Sequence, residues 1–142
     1  DLGCGTGYFT VEMARLAGKT GNVTAADIQP EMLQVTGNKI KGTPLENNVI
    51  LHLTQPDTLG LEGQFDLVFA FWVIHELSNR NKILKEIHHL LKPEGLLYIT
   101  EPRIHVNRTD FNKMISDLLQ MGMIDIKKTG TFINRMVILR KV

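Results

Sequence analysis

Cysteine is nearly absent from this chain. Cys4 stands alone, which excludes an internal disulfide framework and any zinc site built from cysteines only. Long apolar runs are missing as well: the longest, Leu67 to Ile74, falls far short of the roughly 20 residues that a membrane-spanning helix needs. Neither charge sign dominates. Sixteen Lys and Arg stand against 15 Asp and Glu, for a net charge of +1, so the basic stripe of a nucleic-acid binder is not there and no nucleic-acid partner is expected. The sequence has no internal repeat and no low-complexity tract. No signal-peptide pattern opens it, which makes the cytoplasm the expected location. What is present is 142 residues with an apolar share of 43% and a charged share of 22%, the balance of an ordinary globular domain.

Short apolar runs alternate with amphipathic stretches, the pattern of βα units around a parallel sheet. Phe9, Met13, Leu16 and Ala17 recur at helical spacing, and Gly18 stops that helix. "NVTAAD" (22–27) reads as a strand ending in an acid. Pro30 then opens a weaker helix, with Gly37 inside it. "VILHL" (49–53) and "FDLVFAFWVI" (65–74) are strands, and Ser78 is placed to cap the next helix. Its stripe is Ile83, Leu84, Ile87, Leu90 and Leu91. "KPEG" (92–95) predicts a turn into the strand "LLYIT" (96–100). Thr109 or Asp110 is expected to cap a helix carrying Phe111, Met114, Ile115 and Leu118, ended by Gly122. Two β-like stretches meet near Gly130, close enough for an antiparallel hairpin. The fold expected is α/β: a doubly wound, mostly parallel sheet with an antiparallel C-terminal strand pair. Only Asp1 and Leu2 stand where a strand should lead into the opening loop, so the first strand is expected to be largely missing, and residues 1–142 to be one N-terminally truncated domain.

That opening loop, "DLGCGTGYFT", alternates three glycines: Gly3, Gly5 and Gly7. Glycines so placed let backbone N–H groups come close to a ligand at the positive end of a helix. A dinucleotide fingerprint, G-x-G-x-x-G, is one candidate, but the third glycine comes one residue early and Tyr8 fills the small position. A phosphate-cradling loop is excluded, since no Gly-Lys-Ser/Thr follows. A glycine turn without ligand is the remaining alternative.

These residues resemble motif I of the class I S-adenosylmethionine-dependent methyltransferases. The resemblance continues in register through "AADIQPEML", "PDTLGL", "QFDLVFAFWVIHEL" and "LLKPEGLLYITEP", spanning Asp1 to Pro102. It is strongest to the branch holding the ubiquinone/menaquinone biosynthesis methyltransferases and many small-molecule enzymes. The resemblance implies a Rossmann-like methyltransferase fold, S-adenosylmethionine as cofactor and a small-molecule methyl acceptor. It also implies residue roles. Gly3, Gly5, Gly7 and the Cys4 backbone would approach the methionine part, and Asp1 would orient loop or ligand. Asp27 would accept the ribose hydroxyls, with Ile28 and Met32 as apolar contacts near the adenosine. Asp57 and Thr58 would stand at the adenine, although Pro56 departs from the family's usual Gly-Asp. Phe71 and Trp72 would lie beside the sulfur. Each has a plainer rival: Asp27 as a helix cap, Asp57 as a turn residue, Met32 as core, Cys4 as a small loop residue with no nucleophilic role.

Methyl transfer rests chiefly on holding two substrates in attack geometry, and a base is needed only where the acceptor must lose a proton. His75, just beyond the fourth motif's strand, is the candidate catalytic residue; packing or capping is its alternative role. Glu101, Arg103 and His105 follow the fifth motif's strand and could line the acceptor side. His88 and His89 are adjacent on a helix and point apart, and no metal site is expected. The place of an Asn/Asp-Pro-Pro-Tyr motif, found in adenine and glutamine N-methyltransferases, is taken by "FWVIHE", which disfavours amide-type nitrogen acceptors. Two other functions compete: a non-catalytic cofactor-binding member of the same fold and an NAD-dependent oxidoreductase.

Overall fold

The glycine loop runs directly into a helix. In the computed structural model, which describes residues 1–142, the chain divides into two compact units, residues 1–55 and 56–142. The first unit holds α1 (Tyr8–Ala17), β1 (Val23–Asp27), α2 (Pro30–Ile40) and β2 (Val49–Leu53). β1 and β2 pair in parallel, from Val23 opposite Val49 to Asp27 opposite Leu53. Asp1 to Gly3 run beside β1: Leu2 bridges Ala26 in parallel, and the Ala26 N–H donates to the Asp1 carbonyl at 2.9 Å.

Ala14, Val23, Ala25, Leu33, Ile40, Val49 and Cys4 form this unit's core. The stripe expected on α1 is corrected here. Leu16 is 87% exposed and Ala17 is exposed too, while Met13 packs partly against the core beside the buried Thr10 and Ala14. The reason is polar: the Thr10 hydroxyl donates to the Asp1 carboxylate and draws its own face in. Gly37 inside α2 also has a packing reason, because a Cβ there would stand 3.0 Å from the Leu51 side chain.

The second unit holds β3 (Phe65–Phe71), a 3-10 turn (Ile74–Glu76), α3 (Arg80–Leu90), β4 (Leu91–Pro102), α4 (Arg108–Gln120), β5 (Met123–Gly130) and β6 (Asn134–Lys141). Its sheet runs β3-β4-β6-β5. β3 and β4 are parallel, and β6 is antiparallel to both of its neighbours, as expected of the closing pair. The buried stripe of α4 is the one read from the periodicity, and so is that of α3 as far as Leu90; Leu91, expected on the same face, opens β4 instead.

Three local expectations are revised. Lys92 to Gly95 do not separate two elements; they bulge inside β4, where the register shifts between Phe65 and Leu67. Lys92 there pairs with both carboxylate oxygens of Asp66, at 2.8 and 2.9 Å. The caps are Asn79 and Asn107, in place of Ser78 and of Thr109 or Asp110. Each Asn side chain accepts the N–H three residues on, from Lys82 and Asp110. No helix is long and apolar enough to cross a membrane.

Candidate active site

Gly3, Gly5 and Gly7 all adopt positive φ, at 67°, 53° and 76°, a region L side chains rarely enter. The turn they make is tied to the end of β1. The Gly3 and Cys4 N–H groups both donate to the Ala26 carbonyl, at 2.8 and 3.1 Å. Gly5 N–H donates to Asp27 Oδ2 at 2.8 Å, and Gln29 N–H to Oδ1 at 2.9 Å. Asp27 is therefore pulled against the loop and is only 8% exposed. Each of its oxygens retains a second lone pair for a further donor.

The glycines differ in kind. A Cβ on Gly7 would lie 2.6 Å from the Thr36 side chain, whereas one on Gly5 would meet nothing within 4 Å. Gly7 is demanded by packing and Gly5 borders open space. Cys4 is buried, and burial first, then the charge of Asp27, pushes its thiol up, away from the thiolate form that a nucleophile needs. Lys39 reaches the loop but donates to the Thr6 carbonyl at 2.6 Å. Open space beside a carboxylate, on a loop without Lys or Arg, fits a ligand with hydroxyls and no phosphate. Ile28 is exposed and Met32 half-buried at the start of α2.

In the second unit the chemistry gathers where β3 and β4 end. Trp72 follows β3 with φ 59°, a strained conformation for a large side chain and one that concentrates at functional sites. Three contacts hold it: its N–H donates to the Thr100 carbonyl at 2.8 Å, its indole N–H to Asn134 Oδ1 at 3.0 Å, and its ring stacks on Phe71. Thr100 Oγ1 is buried without a hydrogen-bond partner.

The 3-10 turn then sets His75 against the end of β4. His75 Nδ1 pairs with the Glu101 carboxylate, whose other oxygen accepts the Ile74 N–H at 2.9 Å. Burial pushes the Glu101 carboxyl up, and His75 and the Ile74 N–H pull it back. The ring of His105 lies parallel to that of His75, centroids 5.3 Å apart. His75, Leu77, Ser78, Asn79, Arg80 and Asn81 line a cleft of about 360 Å³.

Asp57 is exposed. Thr58 donates its hydroxyl to Glu86, which also accepts the Leu59 N–H at 2.7 Å. Glu86 and Glu101 are the organising residues that the sequence reading did not single out in these roles. An acid at a strand end was visible for Glu101; nothing local marked Glu86.

A methyltransferase-domain family model matches residues 1–137. The chain is also 35% identical over 104 residues to the demethylmenaquinone methyltransferase of Lactobacillus johnsonii, across 71% of this chain and 42% of that protein. The chain belongs to the class I S-adenosylmethionine-dependent methyltransferase family. It spans about two fifths of the length of the curated methyltransferases it matches. Among solved structures, a SAM-dependent methyltransferase from Aquifex aeolicus superposes with a TM-score of 0.85 at 22% identity, over 100% of this chain and 80% of that one. The [4+2]-cyclase SpnF gives 0.85 at 15% identity, over 99% and 74%. At such identities these two speak for the fold, which is the Rossmann-like methyltransferase fold expected. These matches support the methyltransferase reading and lend nothing to the oxidoreductase one.

Proposed function

We propose that this chain is the cofactor-binding domain of a cytoplasmic enzyme that moves a methyl group from S-adenosylmethionine to a small-molecule acceptor. The observation that carries the reading is the loop tied to β1, with open space at Gly5 beside the nearly buried Asp27 carboxylate. S-adenosylmethionine brings a methyl group already activated on a sulfonium, so the residues have to bind, orient and exclude water. Gly3, Cys4, Gly5 and Gly7 approach the methionine end with their backbone while Asp1 braces the turn through Thr10. Asp27 offers its remaining lone pairs to the ribose hydroxyls, and Ile28 and Met32 give apolar contact. The family resemblance assigns Asp57 and Thr58 to the adenine, and Phe71 and Trp72 to the sulfur.

His75 meets the acceptor and takes the proton that an acceptor hydroxyl must lose. Demethylmenaquinone, named by the Lactobacillus relative, is the first acceptor to try, in the reduced form that carries hydroxyls. His75 paired with a buried carboxylate beside a cleft favours catalysis over a non-catalytic role. Calorimetry with S-adenosylmethionine, its demethylated product and NAD tests the reading. Binding of the first two in preference to NAD is expected, and tighter NAD binding would overturn it.

A further inference from the structure

We propose that Glu101 is a positioning residue whose carboxylate holds the Nδ1–H of His75, leaving Nε2 as the bare nitrogen that accepts a proton at the cleft. The inference rests on the reading that His75 meets the acceptor, and adds what prepares it. Glu101 is 1% exposed at the end of β4, and a carboxylate there is tolerated only if both oxygens are satisfied. They are, by consecutive residues of one turn: Ile74 through its backbone N–H and His75 through its ring. One side chain thus fixes the backbone that carries the imidazole and the imidazole itself. The parallel His105 ring lies against the imidazole and fixes its plane, and within that plane a half-turn of the ring would break the Glu101 contact.

The alternative is a carboxyl group that keeps its proton and donates it to Nδ1. Nε2 would then carry the ring hydrogen and act as a donor. Burial of Glu101 favours that arrangement, while the charge of His75 and the Ile74 N–H, which bonds a charged oxygen more strongly than a neutral one, favour the ionised one. With Nδ1–H held, the transfer is simple. A proton passes from an acceptor hydroxyl to Nε2, its electron pair stays on the acceptor oxygen, and the pair becomes imidazolium and carboxylate. A carboxylate that fixes tautomer and orientation in this way supports a histidine base without itself taking the proton. The titratable and charged groups around the ring are Glu101 on β4, His105 beyond it, and Arg80, which shares the cleft.

Nitrogen-15 NMR of the histidine rings, followed through a pH titration of the full chain, tests this without needing an acceptor. The expected result is hydrogen on His75 Nδ1 and a bare Nε2. Glu101→Gln leaves one acceptor oxygen for both the Ile74 N–H and the ring N–H, and should lose the preference for Nδ1–H, with Glu101→Asp falling between. Hydrogen on Nε2 in the wild type overturns the proposal, as does an unchanged tautomer ratio in Glu101→Gln; the first of these needs no variant to fold. Turnover of reduced demethylmenaquinone with S-adenosylmethionine separates the two layers. Glu101→Gln should lower kcat tenfold or more with KM within twofold and shift the acid limb of the pH profile. A KM effect alone would count against positioning. A wild type inactive on this acceptor, with the Nδ1–H tautomer in place, would overturn the acceptor reading and not the tautomer.

Discussion

Asp27 does two things at residue scale, and they can be separated. Its carboxylate braces Gly5 and Gln29 from within the fold, and its spare lone pairs are offered to the ribose. Asp27→Ala should weaken S-adenosylmethionine binding by about 1–3 kcal/mol, the range for hydrogen bonds to a charged acceptor. Calorimetry on the folded variant checks this, and an unchanged affinity would reduce Asp27 to a brace. Gly5 and Gly7 should part company in the same way. Gly7→Ala drives a methyl into Thr36 and should lower the melting temperature of the cofactor-free protein. Gly5→Ala meets no atom, costs only about 1–2 kcal/mol for its positive φ, and should lose cofactor affinity disproportionately. Equal melting losses in the two variants would contradict this division.

At element scale, α4 shows how a helix start is chosen. Asn107, Thr109 and Asp110 are all capping types within four positions, and the structure uses Asn107, whose side chain accepts the Asp110 N–H at 2.9 Å. Asn107→Ala should therefore cost about 1 kcal/mol in denaturant unfolding, while Thr109→Ala stays near wild type. The reverse order would move the helix start. α3 was more legible, because its stripe of Ile83, Leu84, Ile87 and Leu90 is continuous and ends up buried. α1 departs from its apolar spacing for a definite reason. Its apolar residues suggested one face, but the Asp1 carboxylate bonds Thr10 and turns another inward. The bulge in β4 carries the turn chemistry of Lys-Pro-Glu-Gly, and only pairing with β3 shows that the strand continues on both sides.

For the whole molecule, stability should depend on pH through His88. Its ring, on α3, has a buried Nε2 without a partner. Burial first, then the charges of Lys141 and His89, hold its pKa below the ordinary value. The folded state therefore refuses a proton that the unfolded chain accepts below about pH 6.5. Stability is undiminished above that pH and declines as pH falls below it, toward the lowered folded value. Denaturant unfolding at pH 7.5 and 5.5 should show the loss in wild type and a smaller one in His88→Leu; an equal loss would exonerate His88. Hydrogen exchange should also be uneven. β4 and β6 are each paired on both sides, with Leu97, Ile99, Val137 and Leu139 fully buried, so their amides should exchange slowest in their unit. β2 pairs with β1 alone and exposes Ile50 and Leu53, so its amides should exchange faster than those of β1.

The order of elements, the glycine loop, the acid closing β1 and the family all lay in the sequence. Each depends on residues close along the chain, where spacing alone sets helix faces, strand alternation and turn conformations. His75 could be picked out the same way, by standing just beyond an apolar strand. Its pairing with Glu101 could not. Glu101 lies 26 residues further on, and the two meet because β3 and β4 pair in parallel in one register, with Phe71 opposite Thr100. The same register delivers the Thr100 carbonyl to Trp72 and holds its strained backbone. Which nitrogen of His75 is held, which glycine faces open space and which helix face turns inward are set by contacts between segments distant in sequence. No local pattern encodes them, because register and packing are decided only when strands and helices distant in sequence meet.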